Sequence, residues 1–171
     1  MRNAQLDVVT PTTEPEAPSI NDKDKSKWLQ TRPGERCRIR ICAADTNGAY
    51  SVVEIVSDAR DGTPMHIHQN EDEHFIILEG TAHLACGDKT VDVPAGTSIS
   101  VSRGIHHAWC NLSKTPLRMP VLFTPGGIDE MFRTTAQGGE NNIAALLEKF
   151  GTRIVGPTLV DNIYTRFSPR S

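Results

Sequence analysis

His66 and His68 stand two residues apart, and Glu73 follows five residues after the second histidine. In a strand, a spacing of two aims both imidazoles to the same side. Two neutral imidazoles on one face make a metal-binding pair in need of further ligands. The polar run Gln69-Asn70-Glu71-Asp72 reads as a solvated turn that brings the next strand back beside the first. Glu71 and Asp72 could also lie at the mouth of a barrel. Glu73 opens that next strand, with Phe75 and Ile77 sharing its parity and lining the same interior. A carboxylate at the head of an apolar strand is costly to bury alone, and a cation beside it resolves that cost.

A fourth ligand can come from Gly96 to Asn111. His106 and His107 are adjacent there, so at most one faces the interior. Parity groups His107 with Trp109 and Asn111, and His106 with Ala108 and Cys110. The first set puts a large aromatic ring beside the imidazole, as a pocket would. His74 has the opposite parity to Glu73, and His83 reads as a solvated strand residue. The bland alternative for the whole set is polar residues on an ordinary β-sandwich. Four residues of matching type in two spaced segments rarely coincide by chance.

The elements that must position these residues are short strands. Between Arg36 and Thr124, about eight runs rich in β-branched and aromatic residues are separated by turns such as Asp45-Thr46-Asn47-Gly48 and Gly87-Asp88. Cys37, Ile39 and Ile41 alternate with Arg38 and Arg40, the mark of a half-buried strand. The pattern is all-β, a sandwich or barrel. After Thr124 the period changes. Ile128, Met131 and Phe132 have helical spacing, and Ile143, Leu146, Leu147 and Phe150 form a second stripe ending at Gly151. Asn141 or Asn142 can cap that second helix. Both helices need apolar surface to cover, on the outside or at one end of the β unit.

The two ligand segments resemble the two motifs of the cupin superfamily. His66, His68, Glu73 and Gly80 match the first; Gly96, Gly104, His107 and Asn111 match the second, with Ser102 where the family has proline. The glycine expected six residues before His66 is Arg60, and the nearest glycine is Gly62. The Pro-Gly-Glu beginning at residue 33, and segments 123–133 and 150–157, look like small single-domain cupins related to quercetin 2,3-dioxygenase. The resemblance spans about residues 28–160. It implies a jelly-roll β-barrel holding one divalent transition metal per chain, with His66, His68, Glu73 and His107 as ligands. Iron, manganese, nickel, cobalt, copper and zinc all suit such donors. It also implies one or two open coordination positions. Glu73 would act as ligand and base together, and Phe75, Ile77 and Trp109 would be pocket residues. The expected activity is that of a dioxygenase on a small organic substrate. A non-redox isomerase or lyase and a non-catalytic ligand-binding cupin are the alternatives.

The 171 residues suffice for one domain with a real core. The expected layout is a tail over 1–27, the barrel with its helices over 28–160, and an extension over 161–171. With 21 acidic and 18 basic residues, the net charge of -3 argues against a nucleic-acid partner. No apolar run suits a membrane span, and the first twenty residues lack the order of a signal peptide, so a cytoplasmic location is expected. Cys37, Cys42, Cys86 and Cys110 form no C-x-x-C pair and are expected to be reduced. Residues 73–78 are apolar on both faces, and cupins commonly pair through such sheets; a homodimer is expected.

Overall fold

The computed structural model describes residues 27–138 and 143–160. The expected tail up to residue 26, the capping asparagines 141 and 142, and the extension 161–171 lie outside the described residues. The described chain is all-β with two short helices. Its first strands are β1 (Leu29–Arg32), β2 (Glu35–Ile41), β3 (Ser51–Ser57), β4 (Pro64–His68), β5 (Asp72–Ile76) and β6 (Thr81–Cys86). There follow β7 (Lys89–Pro94), β8 (Ser98–Val101), β9 (His107–Cys110), β10 (Leu117–Thr124), α1 (Asp129–Ala136), α2 (Ile143–Lys149) and β11 (Thr152–Thr158). One antiparallel sheet runs β1-β2-β3-β10-β5-β8; the other runs β11-β4-β9-β6-β7. The two pack as a jelly roll.

Alternation dictates the packing. Cys37, Ile39, Val53, Ile55, Phe75, Met119, Val121 and Phe123 point from the first sheet into one core, where Leu84, Val93 and Trp109 meet them from the second. Burying side chains of this size contributes roughly 1.5–3 kcal/mol each before entropy is counted. On the outer face, Arg38, Arg40 and Arg118 all reach the buried carboxylate of Glu54, at 2.8, 3.2 and 2.7 Å. All four cysteines are free.

Two elements depart from the sequence expectation. Leu29–Arg32 is a strand because it pairs with β2, a tertiary contact that four residues of weak propensity cannot announce. β5 is shorter than expected. It ends at Ile76, after which Ile77 and Leu78 donate to Thr97 and Arg118 carbonyls outside the ladder. β11 completes the second sheet by pairing with β4.

The helices close one end of the β unit, α1 against β1 and β3, α2 against β11. Met131 and Leu146 are buried, whereas Ile143, counted in the apolar stripe, is exposed at the start of α2. No described helix is long and apolar enough to cross a membrane.

Two backbone features hold β4 in place. Gly62 bridges to Cys110 on β9, and a Cβ there would fall 2.5 Å from the Cys110 Cβ and 2.7 Å from the Trp109 carbonyl oxygen. Arg60, at the position where the family motif has glycine, sits in the left-handed region at φ 63°. A residue with a Cβ tolerates that region less well than glycine does.

Candidate metal centre

Strand register assembles the ligands. His66 on β4 lies directly opposite His107 on β9. His68 lies opposite Thr152 on β11. Glu73 enters from the other sheet, on β5 between Phe123 and Val101. The ligand atoms of His66, His68, Glu73 and His107 all lie within 4.8 Å of one another, and all four side chains are buried. Glu73 Oε2 is 2.7 Å from His107 Nε2 and 3.3 Å from His68 Nε2.

Hydrogen bonds set the tautomers. His66 Nδ1 donates to the Pro64 carbonyl at 2.8 Å, and His107 Nδ1 to the Ile105 carbonyl at 3.0 Å. A carbonyl only accepts, so the proton of each neutral ring is on Nδ1 and the lone pair is on Nε2. His68 Nδ1 is held 2.9 Å from the Thr152 hydroxyl. All three rings thus point Nε2 inward, braced behind, as metal-binding histidines are. A lone pair on His107 Nε2 cannot face a carboxylate oxygen at 2.7 Å without a proton or a cation between them. The donor set fits a divalent transition metal.

The electrostatics carry the same tension. Burial lowers the His66 pKa to about 3, with the neighbouring His107 and His68 adding to the effect. Burial works to raise the Glu73 pKa, but His107 and His68 outweigh it and hold the carboxyl below the ordinary carboxylate range. Burial likewise opposes charge on His107, yet the Glu73 carboxylate prevails and raises its pKa.

A cavity of about 360 Å³ opens on this cluster. His66, His68 and Glu73 form part of its wall; Ile55, Trp109, Phe123, Met131 and Leu147 supply apolar surface. Of the three pocket residues expected from parity, Trp109 lines the cavity. Phe75 and Ile77 do not: they are 0% and 1% exposed and belong to the packed core. Their parity is interior, but the interior at that end of the strand is filled.

The other histidines face outward. His106 is exposed, His74 bonds the Ser100 hydroxyl at 2.7 Å, and His83 pairs with Asp92 at 2.6 Å. The acidic turn departs from expectation. Glu71 is 6% exposed rather than solvated, and its Oε2 has no hydrogen-bond partner among the described residues. Burial pushes its carboxyl up. Asp72 instead pairs with Arg103, whose hydrogen bonds lower it to about 2. Adjacent residues of opposite parity take opposite environments, and periodicity in a four-residue polar run gives no sign of it.

Sequence reasoning missed Thr31, Arg32 and Glu35, which share the cavity wall with the ligands. The Pro-Gly between Arg32 and Glu35 was the available signal.

Residues 53–124, which contain all four candidate ligands, match the family described as Cupin domain. Mannose-1-phosphate guanylyltransferase 2 of Escherichia coli O157:H7 is 33% identical over 97 residues, 57% of this chain and 20% of that protein. The chain therefore spans about one fifth of the length of that curated relative. Among solved structures, KdgF from Halomonas sp. superposes with a TM-score of 0.60 at 16% identity, covering 67% of this chain and 99% of that one. The polyketide cyclase RemF from Streptomyces resistomycificus gives 0.55 at 21%, covering 63% and 80%. An oxalate oxidase gives 0.51 at 22%, covering 68% and 66%. At these identities the likeness is one of fold. With the two motifs, the jelly roll and the matched segment in agreement, residues 53–124 of this chain are a cupin domain.

Proposed function

We propose that this protein is a metal-dependent oxidoreductase, a dioxygenase acting on a small organic substrate with an acidic enol or hydroxyl group. The observation that carries the proposal is the buried cluster of three imidazoles and one carboxylate opening on a largely apolar cavity. His66, His68, Glu73 and His107 would hold one divalent transition metal. When bound, the metal supplies a Lewis acid and, if redox-active, a place to activate oxygen. The chain's own residues do the rest. The Nδ1 hydrogen bonds keep the rings from turning. The apolar wall excludes water from the reacting end. Glu73, held ionised, accepts the proton of the substrate hydroxyl on Oε1 or Oε2, acting as ligand and base together.

Oxygen uptake by protein loaded in turn with iron, manganese, cobalt, nickel or copper tests this, over a panel of flavonols and diketones. Uptake matched to substrate loss supports the dioxygenase. Substrate conversion without uptake assigns the site to a non-redox isomerase or lyase instead. Metal and ligand binding with no conversion would make it a ligand-binding cupin.

We also infer that two chains pair through the outer face of β5. Ile76 and Leu78 are 47% and 46% exposed there, and no described element covers them. Sedimentation at micromolar concentration should give a dimer that Ile76→Glu dissociates. A monomeric unaltered protein would refute the pairing.

A further inference from the structure

The cavity wall has a second polar patch, built by the turn that joins β1 to β2. Arg32-Pro33-Gly34-Glu35 places proline and then glycine, at φ 85°, in the two central positions, the pattern of a type II turn. The turn sets Arg32 and Glu35 across from one another, with Arg32 donating to Glu35 Oε2 at 2.7 Å. The β1–β2 pairing breaks register between Gln30 and Arg32. Such an irregularity re-aims side chains, and here Thr31 and Arg32 both reach the cavity wall with Glu35. Thr31 donates its hydroxyl to Glu35 Oε1 at 2.5 Å. Arg32 also bonds Asp61, itself held by the Ser57 hydroxyl at 2.8 Å, and lies over the Trp109 ring at 5.7 Å.

This arrangement constrains what it can bind. Arg32 has five N–H donors and spends two on carboxylates, which leaves donors to spare. Glu35 is 5% exposed and accepts one bond at each oxygen, leaving lone pairs. The patch therefore both donates and accepts, as a hydroxyl group requires. Asp61 and Glu35 already meet the Arg32 charge, so no net positive charge remains for a carboxylate or phosphate. A buried ion pair of this kind adds little stability over apolar packing.

We infer that Thr31, Arg32 and Glu35 bind a hydroxyl group of the substrate, which is a small compound with a metal-chelating hydroxy-carbonyl edge and a second, uncharged hydroxyl. The inference rests on the metal-site reading above and adds the substrate's second group.

Three hydroxypyranones share one chelating edge and differ at the far substituent: kojic acid carries hydroxymethyl, allomaltol methyl and comenic acid carboxylate. Calorimetric titration of the full chain loaded with zinc, which has no redox chemistry, compares them without turnover. Kojic acid should bind roughly ten-fold or more tightly than allomaltol, as one hydrogen bond to a charged group gives. Comenic acid should bind more weakly than kojic acid. Glu35→Gln should bring the kojic acid to allomaltol ratio close to one while zinc content and allomaltol affinity stay unchanged. Thr31→Val, which frees Glu35 Oε1 from its anchor, should lower the ratio as well. Equal binding of kojic acid and allomaltol by the unaltered protein would overturn the inference, as would comenic acid binding best. Failure of all three probes to bind zinc-loaded protein would overturn the chelating edge of the substrate, whereas failure of the protein to hold zinc would overturn the metal-site reading beneath it.

Discussion

Glu73 Oε2 lies 2.7 Å from His107 Nε2, a contact that joins the two sheets across the barrel interior. The imidazole cannot donate from Nε2 while its Nδ1 proton is given to Ile105, unless it is charged. The contact is therefore made by an imidazolium or by a shared cation, and the two exclude each other.

Metal loading near neutral pH should release about one proton per chain, because the cation displaces the one on His107. Calorimetry in buffers of different ionisation enthalpy reads this directly. Uptake without proton release would mean that His107 carries no second proton in the metal-free protein.

The metal-free protein should lose stability toward both acid and alkali. His66 has a folded pKa of about 3 against an ordinary 6.5, so the unfolded chain binds more protons between these values. Stability from His66 is complete above 6.5 and falls as pH drops through that window. Glu73, also depressed, adds stability that is present above its ordinary 4.5 and is lost as pH falls through its folded value. His107 is raised, so its contribution is complete below 6.5 and is lost as pH rises through its folded value. Thermal melts of metal-free protein should show a lower midpoint at about pH 4 than at about pH 6.5.

His66→Ala and His107→Ala should each abolish most metal content while circular dichroism keeps its β signature, because the core is large and apolar. Elemental analysis of protein purified without a metal column measures the loss. Unchanged occupancy in both variants would defeat the ligand assignment.

Thr152→Val removes the hydroxyl that braces His68 at 2.9 Å without removing a ligand. Metal affinity should fall by about 10- to 100-fold, as loss of a bracing group commonly causes. Competition with a chelator of known affinity gives the number.

Gly62→Ala should destabilise the fold by about 1–3 kcal/mol, the usual cost of forcing an atom into a packed site. The new Cβ would meet the Cys110 backbone and side chain at 2.9 and 2.5 Å, and neither can move without shifting β9 and His107 with it. Denaturant unfolding measures the stability loss, and the same variant should show weakened metal binding.

The cluster of His66, His68, Glu73 and His107 was legible because it depends on local rules and on the resemblance to the two family motifs. Strand parity pairs His66 with His68 and separates His107 from His106, and each rule holds within a few residues of chain. The all-β class and both helices follow from periodicity in the same way. What lay beyond reach depends on elements distant in sequence. Thr152 is 84 residues from His68 and meets it only through the β4–β11 register. Phe75 and Ile77 have the interior parity, yet packing from both sheets closes the space around them. Glu71 is buried, and Arg32 and Glu35 form a cavity wall, because other segments come to lie against them. The local chain decides which way a side chain faces; only the assembled sheets decide whether it meets a ligand, a cavity or another side chain.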